Sequence, residues 1–84
     1  MWFSSMKYRI KTFGITKDIM GAKEVDFEMN GNTVGALRDA LANQYPDIKS
    51  LNSLMIAINN AYADDGTTLS EADEIALIPP VSGG

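Results

Sequence analysis

The residues of this sequence with the clearest chemical potential stand at its C-terminal end, where residues 79–84 read Pro-Pro-Val-Ser-Gly-Gly. Pro79 and Pro80 favour a stiff, extended exit from a folded domain. Gly83 and Gly84 have no Cβ atom, so they can enter a channel that is too narrow for other residues. The pattern predicts a thin arm that delivers the Gly84 carboxylate into another protein's active site. A frayed terminus, in which small residues are common, is the alternative interpretation.

Composition limits the chemistry that the rest of the chain can perform. The 84 residues contain neither cysteine nor histidine, which removes the commonest general base and the commonest transition-metal ligands. Self-contained nucleophilic or zinc catalysis is therefore not expected, and neither is a stably bound cofactor. The formal net charge of −4 argues against nucleic acid as a partner and suits a basic protein surface.

The start of the chain carries no targeting signal that we can identify. Residues 1–5 are too short for a signal peptide, and we expect them to be an appendage before the first patterned segment. No apolar run approaches membrane-spanning length. We therefore expect one small domain over residues 6–78, followed by the tail over residues 79–84, in a cytoplasmic protein without a membrane partner.

Apolar residues at alternate positions, or in short runs, predict the strands of this domain. In the first strand Tyr8, Ile10 and Thr12 share one face, while charged residues mark the other face as solvent-exposed. The second strand repeats the alternation with an acidic outer face, and the two are expected to form a hairpin. The predicted strands span residues 7–13, 23–29, 55–59, 61–63 and 74–78.

A longer apolar stripe predicts one main helix, from about residue 33 to Tyr45. Its apolar residues recur at helical spacing, Asn32 or Thr33 is placed to cap its N-terminus, and Pro46 is expected to end it. A turn of 3₁₀ helix is predicted over residues 50–53.

A short helix is also predicted over residues 15–20. Thr16 is expected to cap its N-terminus and Gly21 to end it, with Ile15, Ile19 and Met20 facing inward.

Together these elements predict an α+β domain in which one main helix packs across a mixed sheet of four to five strands. Its predicted core consists of Tyr8, Ile10, Val25, Phe27, Val34, Leu37, Leu41, Ile56, Leu69, Ile75 and Leu77.

Two apolar residues fall on the face of the sheet that charged neighbours mark as exposed. Phe13 ends the first strand and Ile78 ends the last one, directly before the tail. We predict that both belong to a patch that contacts a partner protein; coverage by their own chain is the alternative. The acidic residues Glu71, Asp73 and Glu74 are expected to meet basic groups of the partner.

The segment over residues 73–84 resembles the C-terminal signature of the MoaD family, the small sulfur-carrying subunits of molybdopterin synthase. The signature is an acidic pair, an apolar strand, Pro-Pro-Val, Ser or Thr, and a terminal Gly-Gly. The Pro-Pro pair favours MoaD over two related carriers, ThiS of thiazole synthesis and the eukaryotic ubiquitin-related modifier. One departure is that Leu77 and Ile78 stand where the family often has aromatic residues, which bears on partner specificity. The matching tail residues are Pro79, Pro80, Val81, Ser82, Gly83 and Gly84.

This resemblance implies a ubiquitin-like β-grasp fold and a role for Gly84 as a covalent sulfur carrier. A carboxylate must be activated with ATP, and the chain has no phosphate-binding glycine loop of its own. The family supplies the activation through an adenylating enzyme of the MoeB type, after which a persulfide donor converts the carboxylate to a thiocarboxylate. The large synthase subunit, MoaE, then uses the sulfur to make molybdopterin. The partner interface is expected to comprise Phe13, Ile78, Pro79, Pro80, Val81 and Ser82.

Two alternatives remain at this point. A related carrier for thiazole synthesis or tRNA thiolation, or a protein modifier, would have the same tail and different partners. A ubiquitin-like interaction domain with an inert tail would not require Gly84 at all.

Overall fold

The first two strands form the predicted hairpin. In the computed structural model, which describes residues 5–51 and 54–79, β1 (Ser5–Thr12) pairs antiparallel with β2 (Glu24–Asn30). Tyr8 lies opposite Phe27 in this register, and both side chains are buried. The strand begins at Ser5, one residue before the predicted start of the domain.

A short helix, α1 (Ile15–Met20), follows β1 and ends at Gly21, whose left-handed conformation closes it as predicted. The prediction of its inner face is wrong in part. Ile15 is 49% exposed, and Thr16, predicted to be the N-cap, lies inside the helix and is fully buried. Gly14 occupies the N-cap position. The helix spans the predicted residues, but its N-cap is Gly14 and not Thr16. Thr16 therefore lies in the first turn and takes the inward position, where its hydroxyl bonds to the backbone of Phe13.

The main helix, α2 (Val34–Gln44), has the predicted cap and the predicted buried stripe. The Thr33 hydroxyl accepts a hydrogen bond from the Ala36 amide at 3.1 Å, which satisfies one of the free N–H groups of the first turn. Val34, Leu37 and Leu41 are fully buried.

The chain after α2 differs from the prediction of a 3₁₀ turn over residues 50–53. A four-residue helix, α3 (Pro46–Lys49), starts at once and buries Ile48. Proline is well suited to the first turn of a helix, because the N–H that it lacks has no partner there. Pro46 therefore ends one helix and begins the next. Residues 52 and 53 of the predicted turn lie outside the described residues.

The remaining strands complete a mixed sheet. They are β3 (Met55–Ile58), β4 (Ala61–Tyr62) and β5 (Glu74–Ile78), and the strand order is β2-β1-β5-β3-β4. β5 lies parallel to β1, and the other neighbours are antiparallel. The β3–β4 turn has positive φ at Asn59 (51°) and Asn60 (71°), the backbone of a two-residue hairpin of the type that asparagine favours.

One hydrophobic core lies between the helices and the inner face of the sheet. All but one of the predicted core residues are buried, and Val25 is half-buried against the others. Leu69, in the loop before β5, is 3% exposed and closes the core as expected. The predicted α+β architecture is therefore confirmed for the residues that the structure describes.

Among the described residues, Tyr8 is the one buried residue with an ionisable side chain. Its ring is fully buried, and its hydroxyl donates a 2.8 Å hydrogen bond to the Gly31 carbonyl, in the turn that precedes α2. Burial raises the pKa of Tyr8 above its ordinary value, and the nearby charges of Glu71 and Asp73 act in the same direction. The bond connects the first strand to the start of the main helix.

Candidate functional site

The outer face of the sheet carries a shallow groove of about 370 Å³ that ends where the tail begins. It brings together Phe13 and Ile78, the two residues predicted to be partner contacts, although the loop that carries Phe13 and the strand that carries Ile78 are far apart in sequence. We call it the outer-face groove. Its lining residues are Lys11, Phe13, Ala57, Asn60, Tyr62, Glu74, Ala76 and Ile78.

The pairing of strands explains why these residues meet. Residues paired across neighbouring strands point to the same face of a sheet. Ala76 of β5 lies between Lys11 of β1 and Ala57 of β3, and Ala57 is in turn paired with Tyr62 of β4. Small side chains in the middle of this row leave the hollow, and larger side chains form its walls. Phe13 is 48% exposed and Ile78 is half-buried.

Two exposed apolar residues of this surface were missed in the sequence. Tyr62 is 69% exposed at the far wall of the groove, and Met55, which is 42% exposed, is paired with Ile78. The Asn59-Asn60 turn held the necessary signal, because a two-residue hairpin sets the register and places Tyr62 on the face of Ala57. The apolar surface beside the tail is therefore wider than Phe13 and Ile78 alone.

The charged residues Lys11 and Glu74 line the groove, and Glu71 and Asp73 line a neighbouring hollow that also includes Lys11 and Glu74. Lys11 forms a hydrogen-bonded ion pair with Glu74. The hydrogen bond to Glu74, together with the negative charge of Glu74, raises the pKa of Lys11 above its ordinary value. The Glu71 carboxylate accepts a 2.7 Å bond from the Lys7 amide. Asp73 accepts bonds from the Ser70 amide at 2.9 Å and the Asn59 side chain at 3.0 Å.

These bonds bear on the predicted role of Glu71, Asp73 and Glu74 in meeting basic partner groups. All three hold their own chain in place: Glu71 joins the β5 approach to β1, and Asp73 shapes the turn before β5. They remain near the surface, so their charge still contributes to the field around the groove. Their meeting with a partner remains a prediction.

The tail leaves the domain at Pro79, directly beyond the groove. Pro79 is half-buried and lies beside Gly14, where a Cβ atom would approach the proline Cγ to 3.3 Å. The other predicted tail residues, Pro80, Val81, Ser82, Gly83 and Gly84, lie outside the described residues. Their assigned roles remain predictions.

Two kinds of feature, a metal site and a membrane-spanning helix, are not found among the described residues. Within residues 5–51 and 54–79, no group of three acidic side chains is arranged to hold a metal ion. In the same ranges no helix is both long and apolar enough to cross a membrane. An open apolar groove with an ion pair on its rim suits the side chains of another protein.

The strand order, the parallel pairing of the first and last strands and the single main helix define a ubiquitin-like β-grasp protein. Two solved structures support this class. SAMP1 from Haloferax volcanii superposes with a TM-score of 0.74, at 31% identity over 96% of this chain and 100% of that chain. A chain of the complex of subunits 1 and 2 of molybdopterin-converting factor from Helicobacter pylori gives a TM-score of 0.62, at 32% identity over 94% of this chain and 100% of that one.

The chain belongs to the ThiS family, whose sequence model matches residues 10–84. The molybdopterin synthase sulfur carrier subunit of Dictyostelium discoideum is 34% identical over 95% of this chain and 99% of its own length. Small archaeal modifier protein 1 of Haloferax volcanii is 31% identical over 88% of this chain and 97% of its own length. The resemblance to the MoaD group of ubiquitin-like sulfur carriers, predicted from the tail, is confirmed.

Proposed function

We propose that this protein carries sulfur on Gly84 for the synthesis of molybdopterin, as the small subunit of a molybdopterin synthase. The observation that carries the proposal is the extent of the similarity. The family match runs through to residue 84, and relatives named as sulfur carrier subunits of molybdopterin synthase align with nearly the whole chain. The matched span therefore includes Gly83 and Gly84.

The chemistry proceeds in three steps, and partners supply the reactants. The Gly84 carboxylate attacks the α-phosphate of ATP in a MoeB-type enzyme, forming an acyl adenylate and releasing pyrophosphate. A persulfide sulfur of the donor displaces AMP, and a second thiol reduces the resulting acyl disulfide to leave the thiocarboxylate. A MoaE-like large subunit then transfers the sulfur to cyclic pyranopterin monophosphate. This chain stably binds no cofactor in the scheme, and all steps take place in the cytoplasm.

The geometry of the outer-face groove supports a docking role in this scheme. Phe13 and Ile78 line the groove, and Pro79 leaves the domain directly beside it. A partner bound at the groove would receive Pro79, Pro80, Val81 and Ser82 as an extended segment that leads into its active site. The Helicobacter pylori relative is described as a complex of two subunits, which favours a large-subunit partner here.

The experiment that tests the proposal has two parts. Intact-mass analysis of the protein from its own cells is expected to show a fraction that is heavier by one exchange of oxygen for sulfur. Deletion of Gly84 withdraws the carboxylate by about 3.5 Å, and one added residue displaces it forward by the same distance. Since about 1 Å of misplacement costs up to 10²-fold in rate, both changes are expected to abolish thiocarboxylate formation.

Gly83→Val is expected to fail for a separate reason, because a β-branched side chain restricts the backbone and blocks a narrow channel. Each variant is first checked for a wild-type thermal midpoint. Thiocarboxylate formation at the wild-type rate after deletion or extension would contradict the proposal and favour a domain with an inert tail.

A second candidate function is protein modification. The 31% identity to small archaeal modifier protein 1 favours it, because a modifier would use the same adenylated Gly84. The two functions differ in the acceptor, which is a sulfur atom for the carrier and an amine of another protein for the modifier. Conjugates of this protein that disappear on Gly84 deletion would support the modifier; their absence together with a thiocarboxylate supports the carrier.

A further inference from the structure

The turn that leads from β1 into α1, residues 13–16, touches both parts of the proposed site. Phe13 forms part of the outer-face groove, and Gly14 lies against Pro79 at the start of the tail. One four-residue turn thus connects the surface on which a partner would dock with the arm that it would receive. The turn is held in place by two residues with different roles, Gly14 and Thr16.

Gly14 has a backbone conformation that excludes other residues. Its φ of 56° and ψ of −128° fall in a region that only glycine enters readily. A Cβ atom would also lie 3.3 Å from Cγ of Pro79. That is closer than the separation of about 3.5–4.0 Å that is usual between carbon atoms in contact. An alanine at this position would therefore move the turn, the start of the tail, or both.

Thr16 holds the same turn from inside the core. Its fully buried hydroxyl accepts a hydrogen bond from the Phe13 amide at 2.8 Å and donates one to the Phe13 carbonyl at 2.6 Å. The same oxygen lies 3.5 Å from the carbonyl of Leu77, two residues before Pro79. The backbone of Phe13 is thereby fixed next to β5, the last strand before the tail.

We propose that Gly14 and Thr16 are positioning residues that hold the start of the tail at a set place relative to the outer-face groove. A partner bound at the groove then receives the arm at the depth that brings Gly84 to its reaction centre. This inference rests on the proposed function. If the length of the tail alone set the position of Gly84 in the partner, changes in the turn would leave the reaction rate unaltered.

The test compares two glycines at opposite ends of α1. Gly14→Ala introduces strain and a contact with Pro79. Gly21→Ala is the matched control, because Gly21 also has positive φ (81°) but a Cβ atom there would meet nothing within 4 Å. Each protein is mixed with a MoeB-type adenylating enzyme, at a temperature well below the thermal midpoints of both variants. Calorimetry measures the Kd, and ATP–pyrophosphate exchange measures kcat.

For Gly14→Ala we expect a kcat that is lower by about tenfold, since sub-ångström displacement of a reacting group already slows reaction. The change in Kd is expected to be smaller than the change in kcat, because the side chains that line the groove are all retained. Gly21→Ala is expected to keep the wild-type kcat. Equal kcat values for Gly14→Ala and wild type would overturn the inference while leaving the proposed function intact. A wild-type protein that supports no exchange would overturn both.

Thr16 provides a second pair of variants if Gly14→Ala does not fold. Thr16→Val keeps the shape of the side chain and removes the hydroxyl, whereas Thr16→Ser keeps the hydroxyl. We expect the valine variant to lose kcat at unchanged Kd and the serine variant to recover it. An equal loss of kcat in the valine and serine variants, or no loss of kcat in either, would overturn the role assigned to Thr16.

Discussion

Phe13→Ala tests whether the outer-face groove is a partner surface. Phe13 is 48% exposed, and an aromatic side chain presents roughly 200 Å² in total, so roughly 100 Å² is open to a partner. Burying that area is worth about 2.5 kcal/mol at about 25 cal/mol per Å². Alanine retains the Cβ atom, so Phe13→Ala is expected to lose about 2 kcal/mol of binding free energy, which raises the Kd about 30-fold. Calorimetry with the large synthase subunit is the assay.

The matched control for this variant lies two residues further on. Ile15 is 49% exposed, almost the same fraction as Phe13, but its side chain is not part of the groove. Ile15→Ala is therefore expected to keep the wild-type Kd. An unchanged Kd for Phe13→Ala, or an equal loss for Ile15→Ala, would refute the assignment of the groove. Urea melts of both variants establish that the measured proteins are folded.

Two further predictions concern the fold itself. Leu41→Ala removes most of a fully buried side chain of α2 and is expected to lower the free energy of unfolding by about 2–5 kcal/mol, which is measured as a lower urea midpoint. Gln44→Ala, at an exposed position of the same helix, is the control. Equal midpoints for Leu41→Ala and wild type would contradict the assigned helix face. The folded-state pKa of Tyr8 is raised, so its contribution to stability is complete below about pH 10 and is lost as pH rises through the folded-state pKa. Tyr8→Phe is expected to flatten the fall in unfolding free energy as the pH rises above about 10, and an unchanged slope in urea melts would contradict this.

The sequence by itself determined where the strands and the main helix form and which faces of β1 and α2 are buried. Alternation in the first strand identified Tyr8 and Ile10 as core residues, because successive strand residues point to opposite faces. The stripe of Val34, Leu37 and Leu41 identified the buried face of α2, because residues three or four positions apart lie on the same face of a helix. Periodicity is a local property of the chain, so it can be read without knowledge of the partners that each face meets.

Residues at the ends of elements were harder to assign. The bounds of α1 were predicted correctly, but its N-cap was assigned to Thr16 and not to Gly14, and the inward position was assigned to Ile15 and not to Thr16. A six-residue helix offers fewer than two turns of pattern, so periodicity cannot set its phase. Pro46 was correctly predicted to end α2, but its second role as the first residue of α3 was missed.

Only the tertiary structure decided which distant residues share a surface. The sequence identified Phe13 and Ile78 as outward-facing apolar residues, but their common groove depends on the parallel pairing of β1 with β5. The addition of Tyr62 depends on the register of β3 and β4, and the contact of Gly14 with Pro79 depends on where α1 packs. Strand order and register arise from the burial of the whole core at once, so no single segment of the chain contains them.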